Sequence, residues 1–366
     1  MKLLSRVSNV SNNVLPIVAL ASLLVFWNST PSLFVMVLLG ILLAVSVLAA
    51  VHHAEVIAHK VGEPYGSLIL AAAVTVIEVG MLVTLMIASP QESATLARDT
   101  VFSAIMIICN GIVGISLIVK AQRKRTATFN AEGIGGALAA ITALTTMSLI
   151  LPSFTTSTPG ATFSPAQLVF AAVTALVIYL VFVFIQTVRH RDFFLPPPVS
   201  ENSTTLVAEH KEPPSSRLAW ISFALLVVAL VSVVGLAKIT SPLLETAIYG
   251  AGLPSTLIAV SIAGLVLLPE SIAAVRAAYF GRTQTSLNLA YGSAMASIGL
   301  TIPVIAVMSI FFGFPIVLGL SATELVLFVL TVAVSILTVV PGRATILQGA
   351  IHLSIFAGFI FFIINP

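Results

Sequence analysis

The chain is a succession of apolar stretches, each roughly 15 to 25 residues long, separated by short polar segments. A helix needs about 20 apolar residues to cross the hydrocarbon core of a bilayer, so each stretch predicts a transmembrane helix. Only 8% of the 366 residues are charged, whereas about a quarter are charged in a soluble domain. The stretches lie near 14–28, 33–51, 66–88, 100–119, 134–151, 166–188, 218–237, 252–273, 286–312, 323–341 and 346–364. The sequence therefore predicts an all-α integral membrane protein of about eleven transmembrane helices.

The basic residues give an independent check on this count. If the spans alternate, all but two of the sixteen Lys and Arg residues fall on the side of the amino terminus, and only Arg98 and Lys238 fall on the other. Positive residues collect on the cytoplasmic side, so we expect a cytoplasmic amino terminus and a carboxyl terminus outside. The net charge of +3 is then a topology signal. It predicts contact with membrane lipids and no nucleic-acid partner.

The longest hydrophilic stretch, 190–217, is rich in proline and predicts a mobile cytoplasmic linker between six helices and five. If region 1–32 with the first helix is set aside, the chain divides into five-helix sets at 33–189 and 218–366. Corresponding helices are an odd number of spans apart, so the two sets enter the membrane in opposite directions. Inverted repeats of this kind are usual in secondary transporters, whose binding site lies between the repeats near the bilayer midplane.

Glu78 and Glu270 are acidic residues inside predicted spans. A charged side chain at the centre of a bilayer costs at least about 2.5 to 3.5 kcal/mol on insertion scales, so an acid at that depth indicates function. Glu78 lies near the middle of the third span, and Glu270 follows Pro269 in the eighth. The proline removes a backbone donor and predicts irregular backbone with free carbonyl oxygens beside the carboxylate. The two glutamates are the candidate cation and proton site.

Neutral oxygens accompany each acid. Thr75 lies about 60° from Glu78 around the helix axis. Ser103 and Asn110 share a face of the fourth span, and Ser293 and Ser297 share a face of the ninth. These five residues are the candidate supporting oxygen ligands.

Carboxylate, hydroxyl and amide oxygens suit hard cations such as Ca²⁺ or Na⁺, whereas zinc or copper would favour Cys or a His cluster. Burial and mutual repulsion favour protonated carboxyls when no cation is present, and an arriving cation favours the charged form and displaces the protons. Competition for one pair of carboxyls is enough to couple the two fluxes. The pattern predicts transport of Ca²⁺, Na⁺ or K⁺ against H⁺ and calls for no cofactor.

Structural interpretations remain open for the same residues. A single intramembrane Glu can serve as a hydrogen-bonding residue between helices, and hydroxyl residues can mediate close helix contacts. Equivalent places in two inverted repeats argue against a purely structural role for both acids. Asp99 lies next to Arg98 near a predicted span end, which favours an interfacial position. His352, in the last span, is typical of a buried hydrogen-bonded residue.

A cluster of histidines follows the second span. His52, His53, Glu55 and His59 superficially resemble a metalloprotease sequence, but their spacing matches neither HExxH nor HxxEH. A polar helix extension is one interpretation, and a role in ion access or pH sensing is the other.

Several short segments resemble the calcium/proton antiporter family of the cation/Ca²⁺ exchanger superfamily, most closely its bacterial sodium-potassium/proton branch. The resemblance covers nearly the whole chain, and the order and spacing of the segments carry it. They are Ala54-Glu55-Val56-Ile57-Ala58, Gly62 to Leu70, Phe129-Asn130, Pro269-Glu270, Asn288-Leu289-Ala290, Gly292-Ser293 with Pro303, and Gly342-Arg343 to Gly349.

The resemblance implies eleven transmembrane helices, cation export driven by inward movement of protons, and Glu78 and Glu270 as the alternating-access site. Some positions depart from the family pattern. Where the superfamily commonly has Gly-Asn before each acid, this chain has Val74-Thr75 and Val266-Leu267, and Ala296 stands where calcium exchangers often carry Gln. With fewer amide ligands, Na⁺ or K⁺ becomes a credible substrate beside Ca²⁺.

Taken together, the sequence predicts a secondary active cation/proton antiporter of a bacterial cytoplasmic membrane. A passive cation channel is the first alternative, although no segment resembles a carbonyl selectivity filter. A membrane-embedded hydrolase is the second, and its one candidate motif, at His52, fails on spacing.

Overall fold

The computed structural model describes residues 2–29, 31–62, 65–88, 94–196 and 214–366, with side chains from Asn12 onward except at 65–68 and 88. Residues 63–64 of the Gly62 to Leu70 segment and most of the expected linker, 197–213, lie outside the described residues.

The described chain is almost entirely helical. The helices are α1 Lys2–Phe26, α2 Leu33–Val61, α3 Tyr65–Ala88, α4 Leu96–Lys124, α5 Ala131–Ser153, α6 Pro165–Arg189, α7 Ser216–Gly250, α8 Thr256–Tyr279, α9 Thr283–Phe312, α10 Ala322–Val339 and α11 Ile346–Ile364. Two short strands, β1 Ala127–Thr128 and β2 Arg343–Ala344, complete the fold.

Within the described residues, ten helices, α2 to α11, are long and apolar enough to cross a membrane. The apolar part of α1 described at side-chain level, Asn12–Phe26, is shorter. The all-α membrane fold expected from the sequence is therefore confirmed. Most helices extend beyond the apolar stretches that predicted them, because polar residues can continue a helix into the interfacial region where hydropathy no longer marks it.

The helices that matter most for the site cross from one half of the chain to the other. Helix α3 packs against α9, and α4 packs against α8. In the same way α6 packs against α9 and α4 against α11, while α2 packs along α7. The two halves are therefore interleaved, as an inverted-repeat plan would require, and the repeat boundaries themselves stay a prediction.

One end of the helix bundle is closed by the small sheet. Strand β1 pairs antiparallel with β2, with Ala127 opposite Ala344 and Thr128 opposite Arg343. This pairing joins the α4–α5 connection to the α10–α11 connection. The expected topology places this end on the cytoplasmic side.

The opposite end is closed by the segment before α10. Its backbone amides at Val317 and Leu320 donate to the carbonyls of Ala94 and Leu149, at 2.9 Å each. Arg98 donates to the Gly319 carbonyl at 3.0 Å and pairs with Asp99 at 2.7 Å. Asp99 is thus buried in an ion pair at the start of α4 rather than lying free at the surface.

The backbone geometry of two helices that carry candidate site residues bears on the expectations from the sequence. Helix α4 contains a π-helical turn at Ile107–Ile112, which holds Asn110. Helix α8, by contrast, continues through Pro269 from Thr256 to Tyr279. The irregular backbone expected there is not seen, because a membrane helix can accommodate a proline with only local loss of a hydrogen bond.

Candidate functional site

The two intramembrane glutamates are carried by adjacent helices and are both buried. Glu78 lies midway along α3, with 3% of its surface exposed, and Glu270 lies midway along α8, with 4% exposed. The two carboxyls interact electrostatically with each other. No described Lys or Arg lies within ion-pair distance of either. The site therefore holds two acids whose charge is not balanced by a described basic residue.

Both carboxyls are hydrogen bonded to the same helix, α9. Ser293 Oγ donates to Glu270 Oε2 at 2.5 Å, and Ser297 Oγ donates to Glu78 Oε1 at 2.7 Å. The two serines are four residues apart, so they lie on one face of α9 one turn from each other. Helix α9 thus bridges an acid from each half of the chain, and these two predicted ligands lie beside the glutamates.

Each of these hydrogen bonds suits both charge states of the acid. A hydroxyl can donate to a carboxylate and can also accept from a protonated carboxyl, because it has one donor and two lone pairs. When the hydroxyl donates, its lone pairs remain available to a cation. The hydroxyls of Ser293 and Ser297 can therefore pair with the acids in either protonation state, and their role as ligands stays a prediction.

The other two predicted hydroxyl ligands are bonded to their own helices. Thr75 Oγ1 donates to the Ala71 carbonyl at 2.9 Å, and Ser103 Oγ donates to the Asp99 carbonyl at 2.5 Å. Both side chains are buried. Each hydroxyl oxygen keeps lone pairs, and their role as ligands stays a prediction.

Asn110 belongs to a second polar network. Its Nδ2 donates to Thr331 Oγ1 at 2.9 Å, and its Oδ1 lies 3.2 Å from Nδ1 of His352. Thr338 Oγ1 lies 3.1 Å from Nε2 of the same imidazole. The π turn changes the helical register, so the seven-residue spacing from Ser103 no longer returns to the same face. The amide of Asn110 therefore joins α4 to α10 and α11.

Thr301 was not singled out from the sequence but lies at the site. It follows Ser297 by four residues on α9, is fully buried and interacts with Glu78. Its Oγ1 nevertheless makes no hydrogen bond of acceptable geometry in the described structure. The signal that could have found it is the repeated four-residue spacing through Ser293 and Ser297.

The histidine cluster lies toward the end of α2. His53 is buried, and its Nε2 lies 3.1 Å from the Asn12 carbonyl of α1. Glu55 and His59 are exposed, and Glu55 interacts with His52, His59 and Arg276. Counted along the helices, Glu55 is seven residues closer to the connection between α2 and α3 than Glu78 is. If the two helices are antiparallel, this difference places Glu55 about 10 Å nearer that end of the bundle. A role in ion access or pH sensing stays a prediction.

The donor set is one of carboxylates and hydroxyls. Among the residues that the structure describes, no group of three or more His, Cys, Asp or Glu side chains could hold a metal ion. The buried oxygens around Glu78 and Glu270 instead match the ligands of hard cations. A pair of buried acids between interleaved helices that cross a membrane defines a multi-pass ion transporter.

Comparisons with known proteins agree with this class. The family described as "Sodium/calcium exchanger protein" matches residues 31–188 and 221–365. A Sinorhizobium fredii protein named as an ionic transporter, y4hA, is 44% identical over 87% of this chain and 85% of its own. The Escherichia coli sodium-potassium/proton antiporter ChaA is 32% identical over 95% of this chain and 94% of its own.

A solved structure has the same fold. The H⁺/Ca²⁺ exchanger CAX superposes with a TM-score of 0.70 at 14% sequence identity, covering 97% of this chain and 88% of that one. The chain therefore belongs to the sodium/calcium exchanger family. Members of this family are transporters, so the protein is an antiporter rather than an enzyme.

Proposed function

We propose that the protein exports Ca²⁺, Na⁺ or K⁺ from the bacterial cytoplasm in exchange for protons. Its relative ChaA is a sodium-potassium/proton antiporter, and the fold is that of an H⁺/Ca²⁺ exchanger. The observation that carries the proposal is the attachment of both buried carboxyls to one helix, through Ser293 and Ser297. Cation and protons would compete for the same two acids.

The proposed cycle follows from the chemistry of these groups. With no cation bound, burial and mutual repulsion favour protonated carboxyls. A cation arriving from the cytoplasm replaces the protons at Glu78 and Glu270, which leave to the cytoplasm, and the halves of the chain then rock to open the site outward. Protons from outside then displace the cation, which leaves to the outside, and the protonated site turns back to the cytoplasm. The proposed orientation has the amino terminus in the cytoplasm and the carboxyl terminus outside the inner membrane.

Substitution of each acid by its amide tests the competition directly. Glu78→Gln and Glu270→Gln remove the titratable charge and keep the size of the side chain. We expect both variants to assemble and neither to show proton-coupled cation exchange. The measurement is the fluorescence of a pH dye in proteoliposomes after separate addition of Ca²⁺, Na⁺ and K⁺.

The matched control is Glu132→Gln, because Glu132 is exposed in the first turn of α5. This variant should exchange cations as the wild type does. Wild-type exchange by either site variant would contradict the proposed mechanism. Cation flux without proton movement in the wild type would instead identify a passive channel.

A further inference from the structure

A groove runs between α5 and α10, both of which are long and apolar enough to cross a membrane. Its volume is about 570 Å³, within the range of sites that bind small molecules. The lining is apolar except for two threonines, and the hydroxyl of Thr142 already donates to the Leu138 carbonyl. The main lining residues are Gly135, Ala139, Ala143, Val332, Ile336 and Val339. The groove therefore suits an apolar ligand.

Small residues of α5 form the floor of the groove. Gly135, Ala139 and Ala143 follow one another at four-residue intervals and share one face of the helix. In membrane proteins such a face usually lets a second helix approach closely. Here α10 comes close at the Gly135 end, where an added Cβ would lie 3.9 Å from Val339 Cγ1, whereas Ala139 further along remains exposed. The space above the floor is left open.

The groove lies at the depth of the hydrocarbon core. Its lining extends from Gly135 to Met147 on α5, about 18 Å along the helix axis, and the hydrocarbon core is about 30 Å thick. Ala139 on one wall and Ile336 on the other are exposed, so the groove opens to the side of the bundle. At this depth a membrane protein is surrounded by lipid tails and not by water.

One end of the groove leads to a basic residue. Val340 lines this end, and Arg343 follows it by three residues, so their Cα atoms are at most about 11 Å apart. This connection lies against the start of α5, because a Cβ added to Gly342 would be 3.9 Å from the Ala131 Cβ. Arg343 is exposed, and within the part of the chain that the structure describes it forms no ion pair. Its guanidinium is thus free to bind an anion beside the apolar groove.

The same end also carries an acid. Glu132 is exposed in the first turn of α5 and has no described base within ion-pair distance. This end therefore has no marked excess of positive charge. What it offers an anion is local, because the planar fork of the Arg343 guanidinium fits the oxygens of a phosphate.

A ligand that matches the whole groove is apolar over most of its length and carries a phosphate at one end. We propose that the groove binds an acyl chain of a glycerophospholipid and that Arg343 binds the phosphate of its headgroup. The expected topology places the β1–β2 end on the cytoplasmic side, where basic sites between transmembrane helices bind lipid headgroups. The lipid would then belong to the inner leaflet. Its binding does not depend on the cation or proton chemistry of Glu78 and Glu270.

Native mass spectrometry of the full-length protein in detergent measures this binding. The probes are phosphatidylethanolamine, phosphatidylglycerol and diacylglycerol with identical chains, each added at rising concentration. We expect both phospholipids to bind about tenfold more tightly than diacylglycerol, because only they offer Arg343 a charge-assisted hydrogen bond.

Two substitutions separate the groove from the headgroup contact. Ala139→Phe fills the open space above the floor and should abolish saturable binding of all three lipids. Arg343→Gln should reduce the affinity for both phospholipids about tenfold, to that of diacylglycerol, and should leave diacylglycerol binding unchanged. If Ala139→Phe does not fold, Ala139→Leu provides the same comparison.

Ala333→Phe and Arg217→Gln are the matched controls. Ala333 is exposed on α10 but does not line the groove, and Arg217 is exposed in the first turn of α7. Both variants should bind the lipids as the wild type does.

The contrary results are also distinct. Wild-type lipid binding by Ala139→Phe would overturn the proposed site. Equal phospholipid affinity of the wild type and Arg343→Gln would overturn the phosphate contact. Dissociation of a dimer by Ala139→Phe would instead assign the groove to a second copy of the chain, and so would also overturn the lipid site.

Discussion

At the scale of single residues, the hydrogen bonds of each polar side chain distinguish the hydroxyls that face the glutamates from those bonded within their own helices. Ser293 and Ser297 turn their hydroxyls toward carboxyls, whereas Thr75 and Ser103 donate to carbonyls of their own helices. All four were equivalent candidates in the sequence. The direction of one short side chain separates them.

Asn110 is the sharpest case, because all its hydrogen-bonding groups already have protein partners. Its amide is bonded to Thr331 and faces His352, and the three side chains are almost fully buried. We expect Asn110→Ala to lower the free energy of unfolding by about 1 to 3 kcal/mol, because partners on two other helices lose their hydrogen bonds. Thermal unfolding in detergent measures this loss.

The exposed Asn365→Ala is the control for the Asn110 substitution and should have no effect on stability. Cation half-saturation in proteoliposomes provides the second measurement. A structural Asn110 leaves it nearly unchanged in the folded fraction. A large change in half-saturation with unchanged stability would instead support the original assignment of Asn110 as an oxygen ligand.

At the scale of helices, α9 is the element around which the site is built. It contacts α3 and α8, which carry the acids, and it packs against α6 on another side. Gly299 faces Tyr179 of α6, and a methyl group added to this glycine would lie 2.5 Å from the Tyr179 Cβ. The close approach of α9 to α6 therefore requires a residue without a side chain.

Substitution of this glycine tests the close approach. We expect Gly299→Ala to destabilise the protein by about 1 to 3 kcal/mol, since the clash is with the root of a side chain that cannot rotate away. The control is Gly292→Ala on the same helix, where an added methyl group meets nothing within 4 Å. Melting temperatures of the two variants in one detergent should differ clearly, and equal values would contradict the proposed contact.

The π turn in α4 is the other element with a consequence for the site. It places Asn110 toward α10 and α11 and interrupts the polar face that began at Ser103. Helix α9, by contrast, is α-helical throughout, so its four-residue spacing is preserved. The π turn accounts for the position of Asn110, whereas Ser103 precedes the turn and donates to the Asp99 carbonyl of its own helix.

At the scale of the whole molecule, the interleaving of the two halves determines where the acids meet. Each of the pairs α3 with α9 and α4 with α8 joins one half to the other. Relative movement of the halves therefore changes the surroundings of both glutamates at once. This is the arrangement that alternating access requires.

The proposed orientation predicts the result of fusions at the carboxyl terminus. Alkaline phosphatase fused after Pro366 should be active, because the enzyme folds only outside the cytoplasm, and green fluorescent protein at the same place should not fluoresce. The same pair of reporters fused after Arg191 should give the opposite result. Identical results at the two positions would contradict the topology based on the distribution of Lys and Arg.

The sequence by itself determined the membrane-spanning helices and singled out the two buried acids of the candidate site. Both conclusions depend on transfer free energies, which are large, local to a stretch of chain and readable from composition. Ser293 lies only 23 positions from Glu270, and the sequence had already placed it among the candidate oxygen ligands. The family pattern strengthened the same assignment.

Only the tertiary structure decided which hydroxyl serves which acid. The bond between Ser297 and Glu78 joins residues 219 positions apart. Hydrogen bonds require distances near 3 Å, so they depend on the rotation and depth of each helix against the next. Those quantities are set by helix contacts across the whole molecule, and no single stretch of sequence contains them.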